Sequence, residues 1–307
     1  MQTLINLLGV TYFNPQKWSV MHQIKVDLHL HSSHSDGALS PSELVEFCFE
    51  RGLTTIALTD HDTTSGLREA NLCGSKLGVR IINGIELGTQ YLDDEIHILG
   101  YGVDAEDRAF QERLSVFRTA RLARGKKIIE KLSLIGVEVT WDRVVAIANG
   151  ASVGRPHIAT ALVELGYSSN IKEAFRDYLN LDSPGYAPRV MIGPVQGIEI
   201  LKSNGALPVL AHPLLSNAKS GRKSIKNLDK LIPTLCEAGL GGIEVYYGDY
   251  DRGQVSYLSG IADKYSLIKC GGSDYHNSED QNDPHPGDVG PPLDSVYELD
   301  KAVCRAT

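Results

Sequence analysis

An α/β fold, a parallel sheet or small barrel, is predicted by three features of this 307-residue sequence. Short aliphatic and β-branched runs alternate with segments of helical period, the pattern of repeated β-α units. In most of these runs a histidine or carboxylate stands at the strand's end, where parallel α/β folds gather their functional groups. The thirty glycines fall mostly at the ends of apolar runs, as tight strand-to-helix turns require.

Lys25-Val26-Asp27-Leu28-His29-Leu30-His31 reads as the first strand. Side chains two apart share a strand face, so His29 and His31 point the same way and offer half of a metal site. Asp36, in the turn Ser35-Asp36-Gly37, can fold back toward them. Ser40-Pro41-Ser42-Glu43 starts a helix, with Ser40 as cap and Pro41 in the first turn. The next strand, Thr54-Thr55-Ile56-Ala57-Leu58-Thr59-Asp60, runs into His61-Asp62-Thr63. A helix over 66–77 follows, then a strand ending in Glu86 and another, at 95–101, holding His97.

From about residue 105 to 188 the pattern changes to helical periods over 109–135, 141–148, 156–165 and 171–178, with no strand signal. We read this as an all-helical insertion, a lid or small subdomain hung on a barrel formed by 22–104 and 189–307. Strands resume with Leu207-Pro208-Val209-Leu210-Ala211-His212-Pro213 and Gly242-Ile243-Glu244-Val245-Tyr246-Tyr247. The last runs through Cys270 to Asp274 and His276, for about seven strands, enough to close a small barrel. The loop at 277–292 is polar and proline-rich, and its His285 is expected to face solvent. Residues 1–21 include a short apolar piece without a basic leader. They are expected to be an N-terminal extension, with Met21 the functional start.

Composition sets limits on function. At 42% hydrophobic and 22% charged residues, the chain has the balance of a soluble globular protein. A net charge of −8 excludes a general electrostatic grip on nucleic acid, so a polyanionic substrate must be held locally. The five cysteines are scattered without Cys-x-x-Cys spacing, which favours a reducing cytoplasm over a disulfide framework. No run approaches the ~20 apolar residues of a membrane span. No obligate protein partner is indicated.

The histidines carry the chemical argument. Of ten, six (His29, His31, His61, His97, His212 and His276) stand at or near expected strand ends, beside Asp36, Glu86 and Asp274. Imidazoles and carboxylates without thiolate suit two or three divalent ions, manganese first, with zinc or iron also compatible. Such ions acidify bound water and clamp the attacking and leaving oxygens of a phosphoryl group. His97 could instead be a satisfied strand histidine, and Asp60 and Asp62 fit better as residues orienting His61 or its neighbours than as ligands.

Taken together, Asp27-x-His29-x-His31-Ser-x-x-Ser-Asp36-Gly, Thr59-Asp60-His61-Asp62, Gly84-Ile-Glu86, Ala211-His212-Pro213 and Gly272-Ser273-Asp274-x-His276 resemble the polymerase-and-histidinol-phosphatase (PHP) family. The resemblance spans 25 to about 289. It implies a distorted seven-stranded (β/α)7 barrel with a two- or three-metal phosphoesterase centre using hydroxide attack. It assigns His29, His31, Glu86 and Asp274 to one metal, Asp36, His61 and His276 to a second, and Glu86, His97 and His212 to a third.

Arg155-Pro156-His157 and Pro184-Gly185-Tyr186 resemble the branch acting on nucleoside 3',5'-bisphosphates and on RNA 5' ends. Arg155, His157 and His212 are therefore the catalytic candidates, and Arg155, His157 and Tyr186 the substrate-binding ones. Arg155 supplies a planar fork for phosphate. His157, at a helix start, is either a substrate contact or a cap. The basic helix (Arg113, Arg118, Arg121, Arg124, Lys126, Lys127) is either a solvated face or a guide for RNA. A small-metabolite phosphatase, such as one for histidinol phosphate, and a non-catalytic metal-stabilised module are the competing functions, with a carbon–nitrogen hydrolase behind them.

Overall fold

The computed structural model describes residues 26–92, 94–188, 192–214, 228–276 and 284–306. The extension at 1–21, the start at Met21 and the front of the proline-rich loop lie outside them. Seven strands form one sheet in chain order: β1 Val26–Leu30, β2 Thr55–Leu58, β3 Arg80–Tyr91, β4 Asp94–Tyr101, β5 Leu207–Leu210, β6 Gly242–Tyr247 and β7 Ile268–Gly272. The helices are α1 Pro41–Glu50, α2 Leu67–Leu77, α3 Arg108–Ser133, α4 Trp141–Ala148, α5 Arg155–Glu164, α6 Ile171–Ala174, α7 Pro194–Ser203, α8 Leu228–Ala238, α9 Arg252–Tyr265 and α10 Leu293–Ala306.

Parallel pairing joins β1 to β2 to β3 and β5 to β6 to β7, but β4 runs antiparallel to both β3 and β5. An all-parallel sheet therefore fails at β4, for a local reason. Residues 92 and 93 alone separate it from β3, far too little chain for a crossover helix. Leu92 makes the turn with a left-handed φ of 55°.

The reversal also relocates His97. Tyr101, at the end of β4, packs with Val26, Ala57, Ile82 and Val209 from the early parts of the parallel strands, and Val296 and Leu299 of α10 join the same cluster. That end of the barrel is plugged by α10. His97, near the start of β4, consequently belongs to the opposite mouth, where the other strands finish.

Closure is partial. At the mouth the His31 amide donates to Tyr275 O at 3.1 Å and the Asp274 amide to His29 O at 2.9 Å. A single bridge, Leu30 to Tyr275, stands in place of a full ladder there. This is the distortion of the barrel.

A second apolar cluster belongs to the helical region, built on Ile128, Leu132, Val144, Ile158, Leu162 and Leu179. Helix α3 serves both units: Phe110, Leu114 and Phe117 pack with the barrel, whereas Ile128 and Leu132 pack with the helices. Phe175–Leu179 winds as one π-turn after α6. His285 is not fully solvated: its side chain is 44% exposed and its ring lies against Phe47 and Tyr275.

Candidate metal centre and anion pocket

The nine expected donors meet at the open mouth. His29 Nε2 lies 3.1 Å from His31 Nε2 and 3.2 Å from Asp274 Oδ1, and His31 Nε2 lies 3.1 Å from Asp274 Oδ1 and 3.2 Å from Glu86 Oε2. Ligands ~2.1 Å from a tetrahedral ion stand ~3.4 Å apart, so these spacings suit a shared cation. A second group is His31, Asp36, His61 and His276, with Asp36 carboxylate oxygens 3.4 Å from His276 Nε2 and 3.7 Å from His61 Nε2. In a third, Glu86 lies 3.0 Å from His61 Nδ1 and 2.6 Å from His97 Nδ1. His212 Nε2 is 3.0 Å from Glu86 Oε1 as well. His31, His61 and Glu86 are shared, making the groups one contiguous cluster.

These residues fit divalent cations. Asp36 Oδ1, His61 Nδ1, Glu86 Oε2 and Asp274 Oδ1 are buried without a hydrogen bond, an arrangement costly in the absence of a positive ion. The donor set is nitrogen and oxygen, without sulfur.

Electrostatics follow from the packing. Burial works against ionised Asp36, yet His61, His276 and His31 outweigh it and hold the carboxyl well below its ordinary range. Glu86 and Asp274 are depressed in the same way by the imidazoles around them, again against burial. For His61 burial prevails over the attraction of Glu86 and Asp36, and its pKa is lowered well below the ordinary value. His31 goes the other way: burial disfavours its charge, but Asp274 and Glu86 lift its pKa to about 10.

Backbone geometry at the mouth is unusual. Asp62, His212 and Asp274 take positive φ angles of 54°, 27° and 55°, conformations that non-glycine residues adopt at a cost and that concentrate at functional sites.

Two residues that hold this site, Glu244 and Tyr247, escaped the sequence reading, whereas Asp60 and Asp62 were expected beside it. Glu244 is fully buried; it bonds His29 Nδ1 at 3.0 Å and accepts the His212 amide at 2.8 Å. The Tyr247 hydroxyl donates to Asp274 Oδ2 at 3.0 Å. Asp60 accepts from the Ser32 amide and from the hydroxyls of Ser32 and Ser35, so it shapes the loop carrying Asp36, a neighbour of His61 in the cluster. Asp62 accepts from Arg121 Nε at 2.5 Å and from the Gly88 amide at 3.2 Å.

Beside the cluster is a cavity of about 90 Å³, ringed by Arg121, Arg124 and Arg155 together with Asp36, His61 and His97. Arg155 donates to Glu95 at 2.9 Å and lies over the Phe175 ring, its carbon 5.7 Å from the centroid. Glu95 also approaches His97 Nε2 at 3.5 Å and Arg124 at 3.7 Å. Three guanidinium groups, held by the carboxylates of Asp62 and Glu95, thus line the cavity beside the donor cluster.

The remaining expected residues stand further back. His157 is buried at the start of α5, where its Nδ1 accepts the Gly154 amide at 2.9 Å and its ring also bonds the Ser35 backbone; it is not among the side chains lining the cavity. Tyr186 lies under Arg124, 5.8 Å from ring centroid to guanidinium carbon, and supports that arginine. Of the basic helix, Arg121 and Arg124 face the cavity, while Arg113, Lys126 and Lys127 are exposed.

A barrel mouth lined by clustered imidazoles and carboxylates, with arginines alongside, defines a metal-dependent phosphoesterase. Residues 27–117 match the PHP domain. The chain is 32% identical to a 3',5'-nucleoside bisphosphate phosphatase of Chromobacterium violaceum over 91% of its own length and 94% of that protein's. It is 33% identical to a 5'-3' exoribonuclease of Salmonella typhimurium, covering 81% of this chain and 84% of the other. A solved structure from Bifidobacterium adolescentis, described as a metal-dependent phosphoesterase, superposes with a TM-score of 0.82 at 30% identity, over 90% of this chain and 96% of that one. The chain belongs to the PHP family.

Proposed function

We propose that the chain hydrolyses phosphate esters of nucleotides, removing the 3'-phosphate of nucleoside 3',5'-bisphosphates or cleaving phosphodiesters at RNA 5' ends. The observation that carries this reading is the rim of Arg121, Arg124 and Arg155 beside the donor cluster. It provides planar, bidentate recognition of phosphate where the metals would sit. The names of the Chromobacterium and Salmonella relatives support the same substrate class.

His29, His31, Glu86 and Asp274 would hold one ion, and Asp36, His61 and His276 a second. Glu86, His97 and His212 would hold a third. Manganese suits this donor set, with zinc or iron as alternatives. When bound, such ions supply acidified water and neutralise phosphoryl charge. The protein's own contribution is positional. Glu95 and Phe175 fix Arg155, and Asp62 fixes Arg121, so the substrate phosphate meets preset donors at little cost in reorganisation. The helices of 105–188 act as a lid inserted in the barrel of 22–104 and 189–307. His157 serves the lid by capping α5, which carries Arg155. Cys48, Cys73, Cys236 and Cys270 are free thiols in the structure, which accords with a cytoplasmic setting. Among the described residues no helix is long and apolar enough to cross a membrane.

The test is manganese-loaded protein given adenosine 3',5'-bisphosphate, a 5'-phosphorylated RNA oligomer and histidinol phosphate. Turnover of one of the two nucleotide substrates is expected. Arg155→Ala should lower kcat/KM on it roughly 10- to 100-fold, the weight of a charged hydrogen bond. Turnover of histidinol phosphate alone would contradict the proposal.

A further inference from the structure

Strand β6 brings to the metal mouth two side chains that strict alternation would send to opposite faces. Glu244 and Tyr247 are three residues apart, an odd spacing that points side chains apart on a regular strand. The ladder to β7 shows why both arrive. Glu244 pairs with Cys270 and Tyr246 with Gly271, two steps of β6 against one of β7. A bulge of this kind bends the strand and re-aims the side chains beyond it. Glu244 thus reaches His29, and Tyr247 reaches Asp274.

The two oxygens of Asp274 have different surroundings. Oδ2 accepts the Tyr247 hydroxyl at 3.0 Å. Oδ1 is buried without a hydrogen bond, 3.2 Å from His29 Nε2 and 3.1 Å from His31 Nε2. The other carboxylates of the cluster turn both oxygens to imidazoles. Glu86 sets Oε1 beside His97 and His212 and Oε2 beside His29, His31 and His61. Asp36 sets Oδ1 beside His31 and His276 and Oδ2 beside His61.

Tyr247 is itself held in place. Its ring meets His212 edge-on, with centroids 5.6 Å apart, and lies 5.2 Å from the ring of Tyr250, whose hydroxyl accepts the Leu214 amide at 2.8 Å. The backbone of Asp274 is fixed as well, by its amide bond to His29 O at 2.9 Å. Turning the carboxylate to present both oxygens to one ion would break the tyrosine bond.

We propose that Tyr247 is a positioning residue that sets the metal selectivity of the centre: by holding Asp274 Oδ2 it restricts that carboxylate to one oxygen and favours manganese over calcium. Calcium gathers about six to eight oxygens and often takes both from one carboxylate. A centre rich in imidazole has few oxygens to give, and the tyrosine withholds one more; a transition ion accepts the imidazoles in their place. The inference rests on the metal-centre reading and is independent of which ester is hydrolysed.

The test is the Kd of manganese and of calcium for chelator-stripped protein, by competition titration, in the wild type, Tyr247→Phe and Tyr250→Phe. Tyr247→Phe keeps the ring and removes only the hydroxyl. Its preference for manganese, the ratio of the two Kd values, should fall roughly tenfold or more, the effect of losing a partner of a metal ligand. Tyr250→Phe, which removes the hydroxyl bonded to the Leu214 amide, should keep the wild-type ratio. An unchanged ratio in Tyr247→Phe, or an equal fall in both variants, overturns the proposal.

If Tyr247→Phe fails to fold, a crystal of the manganese-loaded wild type decides. Asp274 should meet the ion through Oδ1 alone, with Oδ2 still on the Tyr247 hydroxyl, and both oxygens on the ion would overturn the proposal. Failure of the wild type to bind either ion overturns the metal-centre reading, and the selectivity with it.

Discussion

Glu244 touches no solvent, yet it fixes His29 through the ring nitrogen turned away from the cluster and His212 through its amide. Loss of such a partner costs 10- to 100-fold in metal affinity. Glu244→Gln should therefore weaken binding by about that factor in a chelator-competition titration, and wild-type affinity would contradict the role. The histidines make a second prediction. For His31, burial is outweighed by Asp274 and Glu86, and its pKa stands at about 10; His29 is raised too, by Glu244, Asp274 and Glu86 against burial. Both therefore hold protons near neutrality that a metal must displace. Calorimetry at pH 7.5 (about one unit above the ordinary histidine value) should show manganese binding with an enthalpy that varies with buffer ionisation. A buffer-independent enthalpy would contradict it. The same shift makes stability of the metal-free fold fall as pH rises from 6.5 through about 10, because the folded state binds more protons across that window. Most of the nine candidate donors were legible because they stand in short polar stretches at or near expected strand ends; His97, between Ile96 and Ile98, does not. Glu244 was not singled out, although an acid between Ile243 and Val245 in a buried strand is a signal, since an unpartnered charge there is costly. Glu95 gave less: its neighbours do not reveal that Arg155, sixty residues away, lies against it.

At the scale of elements, the turn after β1 is the most constrained. A Cβ on Gly37 would stand 2.2 Å from His31 O, so any larger residue displaces the turn and Asp36 with it. Gly37→Ala should lower stability by roughly 1–3 kcal/mol in denaturant titration and reduce metal content. Full metal loading at unchanged stability would contradict the tight fit. The direction of β4 is the instructive departure from the sequence expectation. Alternation alone implied parallel neighbours, but the short link from Tyr91 to Asp94 carried the information that a hairpin was being made. Reversal puts His97 at the mouth from the beginning of its strand rather than its end. Helices α7 and α9 also had start signals, Pro194 in the first turn and the reciprocal Asp251–Gln254 cap. Their amphipathic stripes are short and lie between strands that drew the eye.

For the whole molecule, the cluster ties together the ends of β1, β2, β3 and β7, so cations should staple a barrel whose closure is otherwise one bridge. Manganese at 1,000 times its Kd contributes ~4 kcal/mol of stability, and calorimetry should show Tm rising with metal and falling on chelation. A Tm indifferent to both would contradict the staple. The overall charge of −8 sets the problem of binding phosphate with an acidic surface, and under the proposed function the three arginines lining one small cavity would answer it locally. The barrel and the run of helices inserted in it were readable from periodicity because each is a long-range pattern. The sharing of α3 between the two units was not, since both halves of one amphipathic helix look alike until their partners are known. The most direct test of the central claim is anomalous diffraction from a crystal of manganese-loaded protein. Two or three peaks should stand within ~2.0–2.3 Å of the imidazole and carboxylate atoms of His29, His31, Asp36, His61, Glu86, Asp274 and His276. A fully loaded crystal with its peaks elsewhere, and none among these side chains, would contradict the account.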